Sequence, residues 1–437
     1  MRIHEKAVKA LFPGFGINKA REIERLLYEI SKRDAVHPRD ILAGVESKNF
    51  EEIKKALLIK RFPRACAAEK TIRPHLPKLE INNRLSADLK TGFYPKRIFV
   101  EKTAAGSRLL DNFKSEFPKA GVAEIESLKA HLKNNKRYGA ADYNKRRESV
   151  FIINEEHDFF KKCPCTKGAA GCGYHVFNLG FGCIFECSYC YLQEYANTPG
   201  LIFPANLDKF FRRFQGYAKP GMRIGTGEFS DSLMLDHLTG YSAQLIDYFN
   251  GHERVTFEFK TKSDNIDGLL RARHGGNIVV SWSLNPRDII DENEFFAAGL
   301  KERISSAKKC AEAGYRVGFH FDPIFWFAGW EAKYKDTLEV LFDNIKPGRI
   351  AWISLGTFRF KPELKTIIEN RFPENKILDG ELLLGYDNKL RYPYGIRRWI
   401  YETLLKSIRA RSKDIPAYLC MEEISMWKDL GRYLNRP

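Results

Sequence analysis

No stretch of the 437-residue chain approaches the about 20 uncharged apolar residues that a membrane-spanning helix needs, so no membrane partner is expected. The first residues, MRIHEKAVKALF, carry no apolar signal core, and a cytoplasmic protein is expected. Proline and glycine number only 19 and 32 and no internal repeat is evident, which excludes collagen-like and coiled-coil architectures. A composition of 44% apolar and 29% charged residues excludes a disordered tail. Cysteine is scarce, nine in all, an odd number gathered mainly between 163 and 190. That distribution fits metal or redox chemistry in a reducing compartment better than a disulfide framework. Acidic residues fall short of basic ones, 55 against 72, for a formal charge of +17. The surplus favours a polyanionic partner, nucleic acid first, with a well-solvated surface as the plain alternative.

The length allows two or three domains at about 150 residues each. Residues 1–90 hold 20 Lys and Arg against 12 Asp and Glu, and apolar residues recur at helical spacing in Ala7–Leu11, Ile23–Ile30 and Ile53–Leu58. A basic, helical N-terminal domain is expected. Within it, Phe12-Pro13-Gly14-Phe15-Gly16-Ile17 and the helix that follows resemble the helix-hairpin-helix motif of DNA-binding proteins. Gly14 and Gly16 permit a tight turn, and the amides of the next helix start can receive a phosphate. An ordinary helical hairpin explains the same residues.

Residues 91–172 read as an α/β lead-in with a basic stretch, 131–150, expected to be an exposed loop or arm that contacts phosphate. From 173 to 360 the pattern is regular. Candidate strands at His175–Leu179, Arg223–Thr226, Val255–Lys260, Ile278–Ser283, Arg316–Phe321 and Ile350–Leu355 alternate with helical segments. Six such alternations predict a parallel sheet curled into a full or partial β/α barrel. Residues 361–437 read as a helical extension with an amphipathic helix over Tyr394–Ser412. Its apolar face is Ile396, Trp399, Ile400, Leu404 and Ile408, with Arg397 and Arg398 off it.

Just after the first barrel strand the chain reads Cys183-x3-Cys187-x2-Cys190. Three thiolates on one loop can bind three irons of a cubane cluster and leave the fourth open to a small molecule. Zinc is the alternative, although a structural zinc wants four ligands. Upstream, Cys163, Cys165 and Cys172 stand close together. A second metal site, redox or radical-quenching thiols, and plain buried cysteines all remain open for them. Polar residues follow the next strands: Gly225–Asp231, Lys260–Ser263, Ser283–Pro286 and Asp322-Pro323. A barrel places its site at these strand ends. Ser230, Asp231, Ser263 and Asn285 also read individually as helix caps, and Asp-Pro as a turn.

The cysteine loop, with its aromatic after the last cysteine, resembles that of the radical S-adenosylmethionine (SAM) superfamily. The resemblance implies a partial (β/α)6 barrel and a [4Fe-4S] cluster that cleaves SAM to a 5′-deoxyadenosyl radical. Between about Tyr94 and Trp330 the sequence further resembles the spore photoproduct lyase family, which reverses a methylene-bridged thymine dimer in DNA. The matching pieces are Arg97–Glu101, Cys183–Gln193 (CIFECSYCYLQ), Glu228–Thr239 (EFSDSLMLDHLT), Thr261–Leu270, Ser283–Asn285 and Ala313–Trp330. The resemblance implies that Cys183, Cys187 and Cys190 hold the cluster, that Ser230, Lys262, Ser283 and Asn285 lie along SAM, and that Tyr189 and Tyr191 relay a hydrogen atom. Asp322 is a further candidate for SAM's ribose or the substrate.

One position departs from the family. Its hydrogen-donating cysteine is replaced here by Glu228, whose O–H bond is too strong to serve. Gly225-Thr226-Gly227-Glu228 looks instead like the glycine-glycine-glutamate motif that grips the SAM amino group. The expectation is a radical SAM lyase acting on nucleic acid, DNA favoured, with an electron donor such as flavodoxin or ferredoxin. The alternatives are a radical SAM enzyme for RNA, protein or a small molecule, and a nucleic-acid-binding protein with a structural metal centre.

Overall fold

β-branched and aromatic residues fill the runs after Gly173, and such residues settle into strands where both faces are buried. The computed structural model describes residues 2–43, 45, 47–133, 138–195 and 198–435. It divides into a larger unit of residues 88–324, 331–356 and 401–437 and a smaller one of residues 1–87, 325–330 and 357–400.

The larger unit holds two main sheets. One is a four-stranded parallel layer of β1 (Arg97–Glu101), β2 (Gly121–Ile125), β3 (Ser149–Ile153) and β7 (Leu201–Pro204), in the order β2-β1-β3-β7. The other is eight-stranded and curls into a half-barrel. Its strands are β4 (Phe160–Lys162), β5 (Tyr174–Phe177), β8 (Arg223–Gly225), β9 (Thr256–Thr261), β10 (Ile278–Ser283), β12 (Arg316–Ile324), β13 (Ile350–Thr357) and β17 (Ala417–Leu419). In space the order is β17-β13-β12-β10-β9-β8-β5-β4. β5, β8, β9, β10, β12 and β13 are the six strands expected from the sequence. β4 and β17, three residues each, are too short to show a period and were not legible. β10 and β13 are buried along their whole length, which explains their unbroken apolar runs.

Parallel register lines up the C-terminal ends. Gly225 lies opposite Glu258, Trp282 opposite Thr261, and Ser283 opposite His320. Asp322-Pro323 belongs to β12, which runs on to Ile324, so the pair does not form a turn. Nor do Ser230, Asp231, Ser263 and Asn285 cap helices; the neighbouring helices begin after Leu235, Ile266 and Pro286.

The basic stretch 131–150 is not simply an exposed arm. Residues 134–137 lie outside the described ones, while Arg146 and Arg147 are only 2% and 4% exposed. Guanidinium groups can be buried when carboxylates and carbonyls surround them, and Glu186 supplies that partner.

The smaller unit contains helices α1 (Arg2–Leu11), α2 (Ile17–Asp34), α3 (Pro38–Leu42), α4 (Phe50–Arg61) and α5 (Pro63–Ala68), packed around Ile23, Leu26, Leu27, Ile53 and Leu57. It also has a small antiparallel sheet, β14 (Arg359–Phe360), β15 (Leu383–Leu384) and β16 (Leu390–Arg391), in the order β14-β16-β15. Residues 357–400 thus group with the N-terminal helices, whereas the sequence suggested one extension over 361–437. The physical reason is a buried ion network: Glu29 pairs with Arg25 at 2.7 Å, Arg61 at 2.8 Å and Lys365 at 2.7 Å, and Arg25 donates to Glu369 at 3.0 Å. Gly16 precedes α2 at φ −63°, and neither it nor Gly14 takes a positive φ, so this turn does not require glycine. The helix Tyr394–Arg411 forms with Ile396, Ile400, Leu404 and Ile408 buried. Two assignments reverse: Trp399 is 38% exposed and Arg397 only 4%, its Nε donating to Tyr392 O at 3.0 Å. No helix among the described residues is long and apolar enough to cross a membrane.

Candidate active site

The loop after β5 is shaped by backbone before it is shaped by cysteine. Gly180 and Gly182 open it at φ +90° and +94°, and a Cβ on Gly182 would lie 2.6 Å from Leu201 Cδ2. Further on, β6 (Glu186–Cys187) pairs antiparallel with β11 (Glu294–Phe295). Arg146 then fastens the loop: Nε donates to Cys183 O at 3.1 Å, Nη2 to Phe185 O at 2.7 Å and Nη1 to Glu186 Oε2 at 2.8 Å. Gln193 Nε2 donates to Ser188 O at 2.9 Å and Cys190 O at 3.0 Å. Ser188 Oγ donates to Asn293 Oδ1 at 2.8 Å. Sequence reasoning missed all three supports, Arg146 because it sits among the charges of the supposed arm.

Cys183, Cys187 and Cys190 share one enclosed neighbourhood. Burial pushes the Cys183 thiol up to about 12, with Asp231 and Cys190 adding to it. Burial also raises Cys187, where Glu294, Cys190 and Cys183 add to the shift, and Cys190. Among the described residues no group of three or more Cys, His, Asp or Glu side chains is closed to metal-ligand spacing. What fits a [4Fe-4S] cluster is the donor set. Three thiols, Cys187 buried and Cys183 and Cys190 half-buried, that resist ionising alone gain most when a metal replaces their protons, and three is the number that leaves one iron open.

A second constellation centres on Glu294. Tyr189 Oη donates to its carboxylate, Asn285 Nδ2 donates to Oε1 at 3.1 Å, and Arg303 pairs with Oε2 at 2.6 Å. Tyr334 Oη donates to Asn285 Oδ1 at 2.8 Å. The Lys262 ammonium lies 5.8 Å from the Tyr189 ring centre. Burial opposes the charge on Lys262, but Glu294 and Cys187 outweigh it and raise its pKa. The structure therefore brings Tyr189, Lys262 and Asn285 together beside Cys187, around a glutamate the sequence reading did not single out. Ser283 is buried at the end of β10, its carbonyl accepting from Arg303 Nη1 at 2.9 Å.

The third constellation follows β8. A Cβ on Gly225 would stand 2.2 Å from Glu258 O, and Gly227 sits at φ +97° with Lys260 O 2.7 Å from its Cβ position. Both glycines are demanded by backbone proximity. Tyr191 Oη donates to the Glu228 carbonyl oxygen. Burial raises the Glu228 carboxyl; Lys260 and Lys161 oppose the rise, and Asp322 adds to it. Glu228 and Asp322 are thus electrostatic neighbours. Asp231 accepts from Thr261 Oγ1 at 2.6 Å, Lys262 N at 2.7 Å and Leu233 N at 3.0 Å, tying the β8 loop to the end of β9. Ser230 is half-buried in that tied segment. Of the upstream cysteines, Cys163 and Cys165 share a hydrogen bond, whereas Cys172 packs against Val279, Ala351, Trp352 and Tyr418.

A thiol loop above the C-terminal edge of a curled parallel sheet, flanked by buried groups of both charges, is how radical SAM enzymes are built, and this chain is one of them. The family model for spore photoproduct lyase matches residues 93–418. The spore photoproduct lyase of Geobacillus sp. (strain Y412MC61) is 27% identical over 340 residues, 75% of this chain and 95% of the relative. That of Bacillus subtilis (strain 168) is 27% identical over 328 residues, 72% and 92% of the two chains. A solved spore photoproduct lyase complexed with dinucleoside spore photoproduct superposes with a TM-score of 0.63 at 25% identity, covering 75% of this chain and 99% of that one. A variant lyase with bound AdoMet and dinucleoside spore photoproduct has the same fold, with a TM-score of 0.63 at 24% identity over 76% and 100%.

The chain belongs to the spore photoproduct lyase family, radical SAM enzymes that use a [4Fe-4S] cluster and SAM. Membership sets aside the reading of a mere nucleic-acid-binding protein with a structural metal. Residues 1–92 precede the matched region.

Proposed function

We propose that Cys183, Cys187 and Cys190 hold the cluster, that Glu228, Ser230, Lys262, Ser283, Asn285 and Asp322 bind SAM, and that the substrate is a thymine photoproduct or related lesion in DNA. The observation that carries this reading is three thiols on one loop, with Lys262 close enough to act on Cys187 and Cys190, and a half-buried Glu228 following the next barrel strand. When bound, the cluster and SAM supply a radical that removes a hydrogen atom from the substrate. The chain's own residues do the rest. Arg146 and Gln193 hold the thiol loop, and burial excludes water that would quench a radical. Glu228 and Lys262 offer opposite charges that suit the amino and carboxylate groups of SAM.

A DNA substrate is supported by the lyase solved with dinucleoside spore photoproduct and by the +17 charge. The reading includes a cytoplasmic location and a small electron-transfer protein, flavodoxin or ferredoxin, as reductant. A second reading, with RNA, protein or a small molecule as substrate, is favoured by one observation: Glu228 stands where the family's donor cysteine belongs. The test is anaerobic reconstitution followed by dithionite, SAM and deuterium-labelled photoproduct DNA. Formation of 5′-deoxyadenosine carrying the label is expected, with none from Cys187→Ala. Cleavage of SAM without label transfer selects the second reading, and undiminished cleavage in Cys187→Ala overturns both.

A further inference from the structure

Glu228 removes the family's hydrogen donor, yet a different thiol occupies the same neighbourhood. We propose that Cys163 is the hydrogen-atom donor to the substrate radical in this chain, feeding the tyrosine relay that the family resemblance gives to Tyr191, an inference that rests on the function proposed above.

Three elements converge there. β4 ends at Lys162, and Cys163 N then donates to Tyr174 O at 2.9 Å, while Cys165 N donates back to Cys163 O at 2.7 Å. Lys161, two residues earlier, places its ammonium 3.9 Å from the Phe229 ring centre, so the end of β4 lies against the segment that carries Glu228. Tyr191 reaches the same segment through its bond to the Glu228 carbonyl. The Cys163 thiol shares a hydrogen bond with Cys165 and has Cys420 and Glu228 as electrostatic neighbours, and Glu228 and Cys163 are likewise electrostatic neighbours of Tyr191. Cys420, just after β17, joins the group as its N donates to Leu355 O at 2.7 Å, with Ala170 N donating to Glu422 O at 2.8 Å close by. Of the other unassigned thiols of the larger unit, Cys310 is 0% exposed within a helix and cannot meet a substrate.

Chemistry separates Cys163 from a nucleophile. Its hydrogen bond with Cys165 and its burial keep it protonated, and a hydrogen-atom donor must keep its S–H. In the transfer, a C–H bond forms on the substrate as the S–H bond of Cys163 breaks, leaving one unpaired electron on sulfur. The Tyr191 O–H then breaks as the S–H re-forms, and the unpaired electron passes to the phenoxyl oxygen. One radical enters each step and one leaves.

Two measurements test this. In deuterium oxide, wild type is expected to place a solvent deuteron in the product, because thiol hydrogens exchange. Cys163→Ala, and Cys163→Ser should the alanine variant fold poorly, are expected to yield about tenfold less product per 5′-deoxyadenosine, without the deuteron, at normal iron content. Cys420→Ala is expected to match wild type. Product and deuteron unchanged in both Cys163 variants, or the loss appearing in Cys420→Ala instead, overturns the donor assignment. The second measurement needs no turnover: alkylation of the reconstituted protein without reductant, mapped by mass spectrometry. Cys163 is expected to react slowly, as a protonated thiol does, and about tenfold more slowly still with dinucleoside photoproduct bound, which leaves Cys310 unaffected. Absence of 5′-deoxyadenosine from wild type would defeat the proposed function by itself. Where labelled photoproduct DNA is turned over, a Cys163 whose alkylation the dinucleoside photoproduct does not slow defeats the donor assignment.

Discussion

Two residues carry the most testable consequences, and the sequence made only one of them visible. Glu228 stood out because it breaks a family pattern; in the proposed function it is a charged hydrogen-bond partner for the SAM amino group. Glu228→Gln is expected to weaken SAM binding by about 10- to 100-fold, the equivalent of the about 1.5–3 kcal/mol assigned to a charged hydrogen bond. The check is a SAM titration of the anaerobic protein followed through the cluster's spectrum, with iron content unchanged. Arg146 was invisible, one basic residue in a basic run. Folded, it satisfies two loop carbonyls and the Glu186 carboxylate. Arg146→Ala removes the 2.8 Å partner of the buried Glu186 carboxylate, from which Arg147 stands 3.8 Å away, and is expected to cost about 3–5 kcal/mol of stability and to lower cluster content. Denaturant unfolding and iron analysis measure both. Arg146→Lys should rescue only in part, since one ammonium cannot span three acceptors.

At the scale of elements, periodicity and turn residues did most of the work. All six barrel strands were legible because each combines β-branched or aromatic residues with a helical neighbour, and strand ends announced themselves through glycine and polar residues. Functions assigned to those end residues were less legible. Asp231 reads as a cap in sequence, but it accepts three bonds, two of which join the β8 loop to the end of β9. Nothing local distinguishes the two uses of a carboxylate. The glycines at this junction give a sharper prediction. In Gly225→Ala the new methyl would meet Glu258 O at 2.2 Å and Tyr174 Oη at 2.4 Å, so backbone must shift where Glu258 sits in the barrel. Overpacking of this kind costs about 1–3 kcal/mol. A fall in thermal midpoint together with weakened SAM binding is expected, because Glu228 is carried three residues away.

For the molecule as a whole, the smaller unit's stability hangs on Glu29. Burial works to raise its carboxyl, but Lys365, Arg25 and Arg61 outweigh that and hold it well below the usual 4.5. A carboxyl lowered on folding contributes its stability above the unfolded value and loses it as pH falls through the folded one. The contribution is therefore complete above about pH 4.5 and declines on acidification below it. Glu29→Gln, which removes the carboxylate that three buried cations share, is expected to lose about 3–5 kcal/mol at neutral pH. Chemical denaturation of both proteins at pH 7 and near pH 4 checks the sign: the gap between them should narrow in acid.

Composition, spacing and pattern alone determined the parallel half-barrel, the helical N-terminal segment and the three-thiol loop, since each is written in contiguous residues with a fixed period or interval. Only the tertiary structure decided what stands beside that loop. Glu294, Arg146 and Arg303, together with the meeting of Cys163, Tyr191 and Glu228, depend on strands distant in sequence being hydrogen-bonded in register. A linear chain carries no local mark of which buried charge will face which.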